Sequence, residues 1–261
     1  MIKNYFKRCF WMARAHALRL GSKHDAYCAI CEQAAPAFLP YRGGSASLSD
    51  ILRDLALVGS DLDRFRCPRC GSTDRERHLL QYIARVPQIQ FDDQRILHFA
   101  PEPFVRRLIK EQVPLEYVQA DLFPTAPEIC RVDITHIPFV DGYFDVVIAN
   151  HVLEHVANDS DALGEIARVL KVDGLAILQT PYAAALAHTI DIPQITSSKA
   201  RLQLYGQEDH VRLYGADVFE RIQSMGFKSM VKSHHEILAE IDPELYGVNV
   251  LEPLFLFQRQ A

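Results

Sequence analysis

Downstream of residue 71, apolar residues fall into short continuous runs separated by amphipathic stretches. The runs predict strands at 95–100, 115–120, 144–149 and 175–180, and the amphipathic stretches predict helices at 74–85, 103–111 and 162–170. Strands that are apolar throughout and alternate with helices imply a mostly parallel sheet covered on both faces, a doubly wound α/β architecture. Gly174 marks the turn into the 175–180 strand, and a helix at 216–225 with strands at 227–231 and 251–258 completes the pattern. The sequence contains no internal repeat and no low-complexity segment.

Upstream the texture differs. Residues 27–71 are rich in loop formers, among them Pro36, Pro40, Gly43 and Gly44, and only Leu48, Ile51, Leu52, Leu55 and Leu57 suggest a short helix, opened by serine and aspartate caps. So little core implies a metal cross-link as the source of stability. Before it, Phe6, Phe10, Ala13, Ala17 and Leu20 recur at helical spacing among Lys3, Lys7, Arg8, Arg14, Arg19 and Lys23, with no acid before Asp25. This is read as a basic amphipathic helix packed on its own protein, with peripheral contact to an anionic membrane surface as the alternative. The expected division is therefore a helix at 1–24, a zinc-binding module at 25–72 and a catalytic domain at 73–261.

Arg14 and Arg19 interrupt any apolar core that a secretory signal needs, and no run approaches the roughly 20 apolar residues that span a bilayer. A cytoplasmic location is expected. The formal net charge of -5 argues against a chain that binds nucleic acid over its whole surface.

Cysteine usage sharpens the upstream reading. Cys28 and Cys31 form one C-x-x-C pair and Cys67 and Cys70 a second, which in a reducing compartment points to structural Zn2+ in a zinc-ribbon-like module. Gly71 after the second pair permits the positive φ that turns backbone amides toward sulfur. Four thiolates on one divalent ion carry a net charge of -2, which Arg64, Arg66, Arg69, Arg75 and Arg77 are placed to offset, and they leave no open position for catalysis. Cys9 and Cys130 read as ordinary small apolar residues.

In an open parallel sheet the ligand lies beyond the carboxyl ends of the strands, so the residues just after each strand carry the site. They are His98-Phe99-Ala100-Pro101-Glu102-Pro103, Ala120-Asp121-Leu122, Val132-Asp133-Ile134 and Asn150-His151-Val152-Leu153-Glu154-His155. With Cys67-Pro68-Arg69-Cys70-Gly71-Ser72 and Gly206-Gln207-Glu208-Asp209-His210-Val211-Arg212, these stretches resemble the class I methyltransferases. The closest likeness is to the small bacterial methyltransferase type 11-like group found among surface-glycan and sugar-modifying proteins. The resemblance covers residues 69–227 and implies S-adenosylmethionine as cofactor. It implies that Asp121 accepts hydrogen bonds from the ribose hydroxyls, that Asp133 takes the adenine amino group, and that Asn150 and His151 line the methionine end. The family's glycine-rich first turn is absent here, so His98, Ala100 and Glu102 are read as the alternative contacts to the amino-acid end.

For transfer to a hydroxyl a base is useful, and His210 is the candidate, oriented by Asp209 or Glu208. Arg212 and Tyr214 are read as contacts to an anionic or sugar-like acceptor, and His155 as a packed residue in the first turn of its helix. The leading expectation is an active enzyme on a sugar-related or other small molecule. Two alternatives stand beside it: an RNA methyltransferase gripping phosphates through the zinc module, and a catalytically silent scaffold, motivated by the missing glycines.

Overall fold

The computed structural model describes residues 2–19 and 26–261, with backbone only for 2–6. In chain order its elements are α1 (Ile2–Arg19), β1 (Ala26–Cys28), β2 (Gln33–Ala35), α2 (Asp50–Asp54), β3 (Leu57–Val58), α3 (Asp74–Ile83), β4 (Arg95–Phe99), α4 (Pro103–Glu111), β5 (Glu116–Asp121), β6 (Cys130–Arg131) and β7 (Phe144–Ala149). There follow α5 (Asp159–Val169), β8 (Leu170–Ile177), β9 (Tyr182–Ala183), α6 (Ser198–Tyr205), α7 (Val218–Gln223), β10 (Phe227–Ser229), α8 (His234–Ile237), α9 (Pro243–Tyr246) and β11 (Leu256–Arg259). They divide into two compact units: Met1–Leu48, Gly59–Pro87 and Ser233–Pro253 form the first, and Ser49–Val58, Gln88–Lys232 and Leu254–Ala261 the second.

In the second unit a seven-stranded sheet runs in the order β10-β11-β8-β7-β4-β5-β6. The strands β4 to β8 pair in parallel, and β11 is antiparallel to both of its neighbours, β8 and β10. From β4 the chain steps outward to β5 and β6, then returns to the other side of β4 for β7 and β8. The order therefore reverses between β4 and β7, where such sheets bind their ligands. This is the expected doubly wound fold.

The sheet's core explains its order. Leu97, Phe99, Val147, Ala149 and Ala176 are buried on the central strands, and α5 turns Ala162, Leu163, Ile166 and Val169 onto them at helical spacing. Each fully buried Leu, Ile, Val or Phe stabilises by about 1.5–3 kcal/mol. Strand β8 begins five residues before the predicted 175 because Leu170 already pairs with Phe144, after which the register shifts and pairing resumes at Val146 with Leu175. Gly174 sits at this irregularity, where a Cβ would stand 2.8 Å from the Lys171 carbonyl oxygen. Helix α6 was not foreseen because it has no apolar stripe; only its Tyr205 is buried.

In the first unit β1 and β2 form a hairpin that aligns Cys28 with Gln33. Helix α3 opens on a capping box in which the Thr73 side chain accepts from the Glu76 amide and Glu76 accepts from the Thr73 amide. The packed face of α1 differs from the expected one. Trp11, Met12 and Ala15 are its more buried residues, whereas Phe10 is 65% exposed and Ala13 and Ala17 are exposed. Trp11 decides the orientation, since its ring takes the Lys7 ammonium at 5.0 Å and the Arg66 guanidinium at 5.4 Å and lies against Gly71. Leu20 and Lys23, and the side chains of Lys3 and Phe6, lie outside the described residues. Among the described residues no helix is long and apolar enough to cross a membrane.

The interval between the two cysteine pairs does not stay within the expected 25–72 module. Its residues Ser49–Val58 join the second unit, where Ser49 caps α2 and donates to the Gln203 carbonyl, and β3 pairs with β9. The interval is long because it carries two elements of the other unit, α2 and β3.

Candidate active site and metal centre

The carboxyl ends of β7, β4, β5 and β6 stand side by side, spanning about 14 Å at the usual strand spacing. Asn150 follows β7, Ala100 follows β4, Asp121 closes β5, and Asp133 lies two residues past β6. Asp121 Oδ1 accepts from the Phe123 amide at 2.8 Å, and Asp133 Oδ1 accepts from the Thr135 amide at 2.9 Å and its hydroxyl at 2.8 Å. These bonds from Thr135 hold the Asp133 carboxyl below its ordinary value. Phe123, 73% exposed beside Asp121, adds an open aromatic face that the sequence reading did not single out.

The first strand turn works without glycine. Ala100 adopts φ 46°, the left-handed backbone that glycine usually supplies, and its amide donates to the Ala120 carbonyl. Glu102 then stands at the N-cap position of α4 ahead of Pro103, with its side chain turned away from the helix amides. Its carboxylate takes His98 Nε2 at 2.7 Å and the Asn150 side-chain amide at 3.2 Å, while His98 Nδ1 meets the Tyr117 hydroxyl at 2.9 Å. Burial is the largest single influence and would raise the Glu102 carboxyl, but the hydrogen bond and charge of His98 together with the bonds from its own backbone and the Asn150 amide outweigh it, and the net shift is downward. Asn150 closes the chain by accepting from the Gln179 amide at 3.2 Å. Thus His98, Glu102 and Asn150 form one network from β5 to β8, and Tyr117 and Gln179 are members that sequence reasoning missed.

His151 also lies in the left-handed region, at φ 53°, and its Nδ1 approaches Glu154 Oε1 at 3.3 Å. Glu154 is 1% exposed. Burial pushes its carboxyl up, but the hydrogen bond and charge of His151 hold it at about 2. Its other oxygen accepts from the Thr180 hydroxyl at 2.9 Å. Glu154 was not among the predicted site residues, although a lone acid within Val152-Leu153-Glu154-His155 was the available signal.

His210, 3% exposed, donates Nδ1–H to the Tyr205 carbonyl at 2.8 Å, and burial lowers its pKa. Its ring stands edge-on to that of His155, with centroids 4.8 Å apart. Asp209 meets His155 Nδ1 at 3.4 Å, so it orients His155 and not His210. His155 itself lies in a short 3-10 turn rather than in an α-helix.

Arg212 and Tyr214 are placed differently from an acceptor contact. Arg212 is 1% exposed and donates to the carbonyls of Leu153, Val156 and Ala157 and to Asp191. The Tyr214 hydroxyl donates to Asp159, which also pairs with Arg221. Together they fasten the 153–159 turn from beneath.

In the first unit the sulfurs of Cys28, Cys31, Cys67 and Cys70 all lie within 4.8 Å of one another, and all four thiols are free. The Cys28 and Cys70 sulfurs are 3.7 Å apart, close to the edge of about 3.8 Å for a tetrahedron with Zn–S bonds of about 2.3 Å. Sulfur contacts from Cys67 and Cys70 draw the Cys28 thiol far down, and the same contact with Cys28 drives Cys67 up. Gly71 has φ 87° and the Cys67 amide bonds the Ser72 carbonyl, which closes the second knuckle. Of the expected counter-charges Arg77 is the fully buried one, stacked on Phe38 at 3.9 Å and donating to the carbonyls of Arg64, Phe65, Ser72, Tyr246 and Gly247.

Comparison with known proteins agrees with this architecture. A 75-residue alignment at 37% identity links 29% of the chain to 21% of an uncharacterized 37.1 kDa protein from a Streptomyces fradiae transposon. A second, at 26% identity over 149 residues, links 54% of the chain to 53% of a Mycolicibacterium smegmatis protein named "Probable S-adenosylmethionine-dependent methyltransferase". The chain thus spans about a fifth and about half of these relatives' lengths. Among solved structures, a chain from the complex of the Haloferax volcanii Trm112 methyltransferase activator with a methyltransferase superposes at a TM-score of 0.50 and 15% identity, covering 71% of this chain and 90% of that one. Residues 99–178, the span from the end of β4 to just past β8, match the methyltransferase domain family.

Proposed function

We propose that this chain is an S-adenosylmethionine-dependent methyltransferase acting on a hydroxyl of a small, sugar-like or glycan-precursor molecule, with a structural zinc ion in its first unit. The observation that carries the reading is the row of polar groups at the ends of four adjacent parallel strands, within the span that matches a methyltransferase domain. The cofactor supplies a methyl group made electrophilic by a sulfonium. Asp121 is suited to accept from vicinal ribose hydroxyls, with Phe123 offering its ring to the purine and Asp133 its carboxylate to the exocyclic amine. The left-handed Ala100 and the His98–Glu102–Asn150 network set the floor for the amino-acid end, and His151 flanks it.

His210 is the proton acceptor in this reading. Its Nδ1–H is committed to a backbone carbonyl, so Nε2 carries the lone pair, and burial keeps the ring neutral at ordinary pH. Asp209 acts through His155. Arg212 and Tyr214 are positioning residues that hold the turn bearing Glu154 and His155. Cys28, Cys31, Cys67 and Cys70 fit zinc by donor type and by sulfur spacing, and a reducing, cytoplasmic compartment keeps such thiols available.

Calorimetric titration of the folded, full-length chain with S-adenosylmethionine tests the reading, paired with methyl transfer from labelled cofactor to a panel of sugars and nucleotide sugars. Saturable binding that Asp121→Ala weakens, followed by label on a sugar hydroxyl, is the expected result. No binding heat from folded protein would overturn it.

A further inference from the structure

Outside the four-cysteine cluster, the described residues contain one other convergence of metal-ligating groups: the Glu154 carboxylate, His155 and His210, whose ligand atoms all lie within 4.8 Å of one another. Two imidazoles and a carboxylate form a donor set suited to a divalent transition metal, because imidazole favours zinc, iron and their neighbours over magnesium or calcium. The set is built rather than fortuitous. Glu154 and His155 are fixed by the turn that follows β7, and the Val211 amide donates to the Glu154 carbonyl, bringing the His210 segment against it.

Each donor also has the outer partner that such ligands need. His210 Nδ1 donates to the Tyr205 carbonyl, His155 Nδ1 faces Asp209, and Glu154 Oε2 is held by the Thr180 hydroxyl. The His210 bond leaves its Nε2 as the donor atom, and the carboxylate beside His155 Nδ1 favours Nε2 of that ring as well. His210 Nε2 is buried and has no hydrogen-bond partner among the described residues. A lone pair buried beside a carboxylate, with no proton donor between them, is a costly arrangement without a cation. Arg212, the nearby guanidinium, does not relieve it, since both of its Nη atoms are engaged with carbonyls and with Asp191 and its Nε faces Asp159 at 3.8 Å.

We infer that Glu154, His155 and His210 form a second metal site, for a zinc-class divalent cation held by three protein ligands with a fourth position open to water or an acceptor oxygen. The inference does not depend on the methyltransferase reading, because metal is counted without cofactor or acceptor. It changes one role: with the cation in place His210 is a ligand, and not the free proton acceptor.

The test is metal stoichiometry of the full chain after zinc loading and dialysis, with cobalt substitution to distinguish the sites by their spectra. The expected wild-type value is two equivalents per chain, one cobalt giving intense thiolate charge-transfer bands and the other only the weaker bands of nitrogen and oxygen ligands. His155→Ala removes a partly exposed side chain and should lose the second equivalent while the thiolate bands persist. His210→Gln, checked for folding by circular dichroism, should do the same. One equivalent in the wild type, with thiolate bands alone, overturns the proposal. So does a second equivalent that survives both substitutions. A single equivalent without thiolate bands that His155→Ala abolishes would support this site and remove the four-cysteine assignment, leaving the methyltransferase reading to its own calorimetric test.

Discussion

The two units use their reactive side chains in opposite ways. In the first, the four cysteines sit in a small cluster of their own: Cys28 and Cys67 are fully buried and share it with Ala26, Ala35 and Phe38, while Leu79, Tyr82 and Ile83 of α3 are buried outside it. In the second, the polar groups at the strand ends rest on a large sheet core that includes Leu97, Phe99, Val147 and Ala149 and does not depend on them. The lesson is that a substitution in the first unit tests folding before function, whereas one in the second tests function directly.

That contrast can be broken at several points. The largest effect is expected from Cys67→Ser or from a strong chelator, because metal binding in small zinc modules carries apparent free energies of about 10–16 kcal/mol. Zinc content should fall and the first unit should lose its amide-exchange protection; full protection retained in metal-free protein would show that the core holds without an ion. Next comes His210→Gln with the Glu154–His155–His210 site free of metal, where the ring is available as proton acceptor; it is expected to lower kcat by roughly 10²–10⁴-fold with little change in melting temperature. In the wild type, kcat should rise with pH and level off at a value below that of an ordinary histidine, since burial depresses this ring and the neutral form is the active one. A profile that falls over that range would exclude His210 as base.

A smaller effect belongs to Asp121→Ala. Losing a charged hydrogen-bond acceptor, about 1.5–3 kcal/mol, should weaken S-adenosylmethionine by roughly 10–100-fold and leave thermal stability unchanged. The last is read as a pH slope and returns to the first unit, at Asp74, whose carboxyl burial raises from 3.8 to about 8. Because the folded form holds this proton more tightly than the unfolded chain does, stability should decline as pH climbs from about 4 to about 8. Asp74→Asn should flatten that slope in melting curves taken across the same range, and an unchanged slope would place the titration elsewhere.

The fold was largely legible because its signals are local. The continuous apolar runs gave β4, β5 and β7 within a residue, and Pro103 at the first helical position gave α4. Cysteine spacing likewise gave four sulfurs that meet in space. Placement was legible where a residue's position along its strand fixes it, as at Asp121, Asp133 and Asn150, which stand at neighbouring strand ends. Arg212 and Tyr214 were misread because a polar residue in a loop looks solvated until the carbonyls it satisfies, at 153, 156 and 157, are known. Glu154 was passed over for the complementary reason: its partner Thr180 lies 26 residues away, and no periodicity links them. Asp209 stands next to His210 in sequence yet orients His155, because neighbours in a chain do not in general point the same way.

Ala100 carries a wider implication. A left-handed conformation costs an ordinary L-residue about 1–2 kcal/mol relative to the right-handed one, and glycine would avoid most of that cost. The chain nonetheless places a methyl group at the switch point of its sheet, so the bend after the first parallel strand is encoded by conformation and not by a string of glycines. Surveys that recognise nucleotide-binding turns by glycine content alone will pass over chains built this way.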